Sequence, residues 1–225
     1  MKLLLSVLAL CLSAASLRAD SLEAILKRMD QAAPSFHALS ATIAMDTYQA
    51  ILDSHTPETG TLRMQRLKKN DVRAILDFKG TDARTIAVIG NVVEIYTPKL
   101  KLVQKTNVGS KSEMLNQFLL LGFGSSGSEL AQSYIITAEG EEKVAGTVTT
   151  KLQLIPKDPE VKKQLSKVEI WIPEAASYPI EQKFYRPAQP SDNCRLVTYS
   201  DVAVNPPMTG KLDLKLPAGV KEEKQ

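Results

Sequence analysis

RTIAVIGNVVEIYTPKLKLVQK, residues 84–105, followed by TNVGSKSEMLNQFLLLGF, residues 106–123, decides how this chain is built. The turn signals Gly90-Asn91 and Thr97-Pro98 cut the first part into three short strands, over residues 85–89, 92–96 and 100–105. In the second part Ser110 and Glu113 have the spacing of a capping box, which starts a helix. Met114, Leu115, Phe118, Leu119 and Gly122 share one face of that helix, while Glu113, Asn116, Gln117 and Leu120 lie on the other. Leu121 and Phe123 widen the apolar face. Such a helix carries more apolar surface than the edge of an antiparallel sheet needs, so the pattern predicts a meander that runs into its own cover.

The same logic extends in both directions. Residues 20–33 read as an amphipathic helix, with Leu22, Ile25, Leu26 and Met29 on one stripe, Asp20 and Glu23 at capping-box spacing, and Pro34 as the stop. From Phe36 the period changes to two. Leu39, Ala41, Ile43 and Met45 alternate with polar residues up to a turn expected at Thr56-Pro57-Glu58-Thr59-Gly60. The next strand puts Leu62, Met64 and Arg66 on one face, and a third does the same with Val72, Ala74, Leu76 and Phe78. Ser126 and Glu129 form a second capping box for a short helix, and strands recur at residues 134–139, 147–155, 167–172, 180–186, 194–200 and 211–216. About eleven strands with short connections indicate a mainly β (α+β) chain built as an antiparallel meander. A sheet of that size must curl or split. If it curls without closing, it encloses more room than an eight-strand barrel fills with side chains, and helices are needed across the mouth.

Residues 1–19 read as a cleavable export signal, with Lys2 as the charged region, residues 3–12 as the apolar run and small residues after it. The run is shorter than the ~20 residues of a membrane span. The expectation is therefore one exported domain over residues 20–225, in solution and monomeric. Cys11 follows Leu8-Ala9-Leu10, and acylation there would tether the chain, although Leu10 is not the small residue that such processing favours. Cys194 is then the one remaining thiol, so no intramolecular disulfide is expected. The chain has 28 Lys and Arg against 25 Asp and Glu, and loss of Lys2 and Arg18 with the leader leaves 26 against 25. That balance excludes the strong basic excess of a nucleic-acid binder. The tail from Lys221 reads as a solvated terminus.

No constellation points to catalysis, a metal or a cofactor. Gly122-Phe123-Gly124-Ser125-Ser126-Gly127 has the G-x-G-x-x-G form, but the connection that follows is too short for the crossover helix of a dinucleotide fold. His37 and His55 are a whole strand apart, and neither has a metal-ligand partner at helical spacing. Cys194 has no histidine near it in sequence. Trp171 is out of phase with Val168, Ile170 and Ile172 and is expected on the outer face, partly exposed. Arg66 shares its face with Leu62 and Met64. If that face is concave, the guanidinium needs partners, and the unpaired carbonyls at a helix C-terminus would serve; otherwise it reaches water at the strand end.

Several of these stretches resemble the periplasmic outer-membrane lipoprotein carrier family, the LolA-like lipoprotein-sorting proteins. The likeness runs through Ser35-Phe36-His37-Ala38, the strand from Gly60 to Arg66, the Gly90-Asn91 turn, Ile95-Tyr96-Thr97-Pro98, the helical insert and Leu214-Lys215-Leu216-Pro217-Ala218-Gly219-Val220. It departs at Leu67, at the Gly-Asn order of the turn, and at Val92, Val93 and Glu94, where the family has a proline, Asp-Gly and a tryptophan respectively. The resemblance implies an unclosed antiparallel barrel under a helical lid, no enzymatic activity, and a periplasmic carrier of lipoprotein acyl chains or related lipids. It implies an inner-membrane ABC-type releasing complex and an outer-membrane receptor as partners, and gives Arg66 the role of lid lock. On that reading Ile43, Met45, Leu62, Met64, Leu76 and Phe78 line the cavity. Met114, Leu115, Phe118 and Leu119 form the lid, helped by Leu22, Ile25 and Leu26. The competing expectation is a lipid-sensing or membrane-tethered receptor.

Overall fold

The computed structural model describes residues 21–68, 71–109, 112–187 and 193–224, with backbone alone at 112, 113 and 117. The leader with Cys11, and the capping residues Asp20 and Ser110, lie outside the described residues. Ser21 caps the first helix, α1 (Leu22–Ala32), its hydroxyl accepting from the Ala24 N–H at 3.2 Å.

The strands that follow are β1 (Ala38–Gln49), β2 (Ser54–Lys68), β3 (Asp71–Phe78), β4 (Arg84–Ile89), β5 (Val92–Thr97) and β6 (Leu102–Asn107). Helices α2 (Ser112–Leu120) and α3 (Gly127–Ser133) make up the insert. Then come β7 (Tyr134–Val144), β8 (Thr147–Pro156), the short α4 (Pro159–Lys162), β9 (Lys167–Pro173), β10 (Glu181–Tyr185), β11 (Cys194–Val204) and β12 (Lys221–Lys224). Among the described residues all twelve strands form one unclosed sheet, ordered β12-β6-β5-β4-β3-β2-β1-β11-β10-β9-β8-β7. Every neighbouring pair is antiparallel except β12 with β6.

Four local expectations are corrected. The first hairpin does not turn at Thr56–Gly60: pairing of β1 with β2 runs from Ala38 with Gln65 to Gln49 with Ser54, and the chain reverses over residues 50–53, where Asp53 is left-handed. Pairing of β2 with β3 stops at Gly60 with Phe78, so Pro57 stands where β2 borders β1 alone, a place where a strand tolerates proline. Residues 211–216 are extended but outside the sheet. They cross its outer face, held by Gln65 (Nε2 to the Gly210 carbonyl, 3.0 Å) and Arg73 (Nη1 to the Leu212 carbonyl, 3.1 Å), with Leu212 buried on Ile75 and Ala87. The tail is not simply solvated, because Lys221–Lys224 pairs with β6 as the twelfth strand. Trp171 is 5% exposed, its indole N–H donating to Glu142 Oε2 at 2.7 Å while the Lys151 ammonium lies over the ring. The outer face is dry there because these long side chains cover it.

The apolar side chains of the concave face gather in two clusters. One contains Ile25 and Met29 of α1, Leu130 of α3, and Leu152, Leu154, Val168, Ile170 and Ile172 of β8 and β9. The other contains Ile43, Met45, Leu62, Met64, Val72 and Phe78 of β1–β3, with Leu120 and Phe123 from the end of α2. Leu120, expected on the polar side, is buried because the second cluster receives it while Leu121 enters the first.

Candidate functional site

Between the concave face and α2 lies a cavity of about 320 Å³. Ile43 and Met45 of β1, Leu62 and Met64 of β2, and Leu76 of β3 form its floor. Phe118 and Leu119 of α2 face them across the opening, and Leu115 packs on the same cluster. Met114, at the start of the helix, is half-buried. Phe78 does not border the cavity; it is buried under the Arg84 guanidinium, 4.4 Å from its ring centre. Leu22, Ile25 and Leu26 do not reach the cavity either, and pack with the β8–β9 cluster.

The opposite wall escaped the sequence reading. Gln182, Phe184 and Arg186 on and after β10, and Arg195, Val197 and Tyr199 on β11, line it at every second residue. The segment after α4 adds Gln164 and Leu165. The period of two was visible in both runs, but each mixes polar with apolar residues, so neither stood out as a hydrophobic face.

Two side chains tie down the end of α2. Arg66 leaves β2 where the pairing with β3 shifts between Arg66 and Lys68, and its Nη2 donates to the Gly124 carbonyl at 2.7 Å and to the Ala33 carbonyl at 3.3 Å. One guanidinium thus serves the C-terminal ends of both α1 and α2, where carbonyls lack helical partners. Phe36 stacks beneath it, 4.9 Å from ring centre to the guanidinium carbon. Burial lowers the pKa of Arg66, and Glu129 works the other way. Gly124 lets this contact close, since a Cβ there would sit 2.5 Å from Phe36 Cδ1 and 2.8 Å from Arg66 Nη2 and would push one of them aside.

The second tie is inside the cavity wall. Gln182, 3% exposed, donates through Nε2 to the Leu121 carbonyl at 2.8 Å and accepts from the Tyr199 hydroxyl at 2.6 Å. Burial pushes the Tyr199 phenol up, so it stays a neutral donor. Of the other two glycines in the motif, Gly122 takes a positive φ of 78° and Gly127 lets α3 touch α1, since a Cβ there would lie 2.2 Å from the Leu26 carbonyl oxygen. Close packing, not phosphate binding, accounts for the Gly-x-Gly-x-x-Gly spacing.

His37 sits at the entry to β1 with Nδ1 3.1 Å from the Ser35 carbonyl, and His55 contacts Asp46 at 2.5 Å on the first hairpin. The register aligns His55, Tyr48 and Cys194 across three strands, so the buried thiol and the imidazole are about two strand spacings (~10 Å) apart with Tyr48 between them.

No family model and no curated sequence matches the chain. Solved structures do. An uncharacterised conserved protein from Thermus thermophilus superposes with a TM-score of 0.51 at 13% identity, covering 92% of this chain and all (100%) of that one. The likeness is one of fold. LprF from Mycobacterium bovis gives a TM-score of 0.47 at 13% identity over 91% of this chain and 100% of its own. A LolA superfamily protein from Nitrosomonas europaea gives 0.40 at 13% identity over 84% and 96%.

Proposed function

We propose that this chain is a periplasmic carrier that holds an acyl chain of a lipoprotein or related lipid beneath α2 and passes it from the inner to the outer membrane. The observation that carries this reading is the unfilled, apolar half of the concave face, roofed by a helix whose end hangs on Arg66 and Gln182. Magnitude favours transient carriage over storage. Burying ~0.8 kcal/mol per CH₂ makes a fully sequestered 16-carbon chain worth ~13 kcal/mol, close to nanomolar binding for a single chain. A cavity of about 320 Å³ is near the lower end of ligand pockets (~300–1,000 Å³), so it holds less than several chains and the grip stays reversible. Flexible Met45 and Met64 in the floor suit tails of different shape. Release follows when α2 gives up its two ties. The releasing complex and the acceptor are, by family resemblance, an inner-membrane ABC-type assembly and an outer-membrane receptor.

Native mass spectrometry of the protein taken from the periplasm of its own cells tests this. Copurifying acylated species, displaced by added lipid, are the expected result. A ligand-free particle that also ignores added lipid overturns the proposal.

A further inference from the structure

The cavity wall is graded in polarity along β11. Tyr199, Val197 and Arg195 succeed one another on the same face, so the wall passes from a half-buried neutral phenol to a guanidinium over about 14 Å of strand, at ~3.4 Å per residue. On the neighbouring strand Gln182, Phe184 and the exposed Arg186 repeat the order, and Phe184 pairs directly with Arg195. On β1, Ile43 and Met45 lead to Thr47, whose hydroxyl accepts from Arg195 Nε at 3.4 Å. Three adjacent strands therefore end the cavity on the same polar edge.

The charges on that edge do not cancel. Arg84 is committed to Glu58, which it holds through both carboxylate oxygens. Among the described residues neither Arg186 nor Arg195 has a carboxylate within ion-pair distance. Burial lowers the pKa of Arg195 and the neighbouring Arg186 lowers it further; Glu58 works the other way, but as one carboxylate against Arg84, Arg186 and Arg195 it leaves the edge positive. Two guanidiniums facing an apolar cavity, one partly buried and each unfavourable to the other, form a preorganised seat for an anion.

We infer that the cavity is built for an amphiphile with an anionic headgroup, its tail beneath Phe118 and Leu119 and its phosphate or carboxylate on Arg186 and Arg195. This deepens the carrier reading and rests on it. A neutral diacylglycerol-type head offers the pair only uncharged ester and hydroxyl acceptors, whereas a phosphate meets both forks with charge-assisted, bidentate hydrogen bonds.

The test uses one chain with three heads: dodecyl phosphate, dodecanol and dodecyltrimethylammonium, each competing below micelle formation with a neutral fluorescent acyl ester bound to the full protein. Inorganic phosphate is a fourth competitor. The expected result is displacement by dodecyl phosphate at roughly tenfold lower concentration than dodecanol, with the ammonium weakest, and a preference that shrinks as salt is added. Arg186→Gln with Arg195→Gln should bring the three heads together. Arg186→Gln alone, at an exposed position, should lose part of the preference and serves if the double variant does not fold. Equal competition by all three heads overturns the inference and leaves the carrier reading standing. Displacement by inorganic phosphate alone overturns it in favour of a free-anion site. Failure of the ester and of every chain to bind overturns both.

Discussion

The two halves of the concave face differ in what fills them. Over β8 and β9, α1 and α3 press directly on the sheet, and Ile25, Leu152, Leu154, Val168, Ile170 and Ile172 are fully sealed from solvent. Over β1–β3 the sheet is just as apolar, yet α2 spans it at a distance and leaves a cavity. The difference lies in the helices. Gly127 allows α3 to meet the α1 backbone, so that pair settles as one compact layer. The far half is served by one nine-residue helix, too small to fill the same width. Both halves hold a buried cluster, but only the first is sealed by two helices, which leaves room above the floor of the second.

The largest expected effect tests that division. Ile25→Ala should cost ~2–5 kcal/mol, and Met45→Ala, whose side chain already borders open space, less than half as much. For a domain of this size the gap corresponds to roughly 5–10 °C in Tm. Thermal unfolding followed by circular dichroism checks it, and equal losses would mean that both halves are packed alike.

A second measurement asks whether the open half is gated. Arg66→Leu removes the donor to the Gly124 and Ala33 carbonyls. The Ala33 carbonyl keeps the Phe36 N–H at 3.3 Å, but leaving the buried Gly124 carbonyl unsatisfied costs ~1–3 kcal/mol, so α2 should open more often and a bound acyl probe should exchange into vesicles about tenfold faster. An unchanged exchange rate would remove Arg66 from any gating role.

The smallest effect concerns the rim of the open half. Hydrogen bonding to Arg84 holds the Glu58 carboxyl below its usual 4.5, against the opposing effect of burial. A depressed carboxyl stabilises the fold at pH values above its unfolded pKa, and that contribution fades as pH falls through the lowered value. Glu58→Gln should therefore lower Tm by about 1–3 °C at pH 7, and the two proteins should converge as the pH falls through the lowered value of the folded-state carboxyl. A gap that persists in acid would assign the loss to packing and not to the ion pair.

How far this arrangement could be read beforehand depended on whether the deciding contact was local. Alternation along Leu62, Met64 and Leu76 and the Ser126–Glu129 capping box, whose Ser126 oxygen accepts the Glu129 N–H at 3.1 Å, are local and were legible. That Arg66 shares a face with Leu62 and Met64 was legible for the same reason, but whether that face is concave or the guanidinium reaches water was left open by the alternation alone. The seat of α1 was not. Its apolar stripe says that a face is buried, but the half of the sheet that receives it is set by long-range contacts, among them Gly127 against Leu26, Asp30 with Ser128 and Arg28 with the Ala176 carbonyl. Leu212, Leu214 and Leu216 alternate like a strand, but a buried extended segment gives the same period whether it joins a sheet or lies across one. Trp171 had the outward phase and is nonetheless buried, because Lys151 and Glu142 arrive from β8 and β7. The polar end of the cavity was not legible, because residues 182–186 and 195–199 alternate polar with apolar on the face that lines it.

An unclosed sheet has two raw margins, and a bare margin recruits strands from other molecules. The parallel pairing of Lys221–Lys224 with β6 deals with one of them. It places four exposed charged residues outermost, on a segment too brief and too well solvated to template an intruder, with Lys105 bridging Glu94 and Glu222 at 3.2 Å each. The crossing segment that delivers this tail is thus a self-made selvedge, letting the chain keep its curvature without inviting polymerisation along that side.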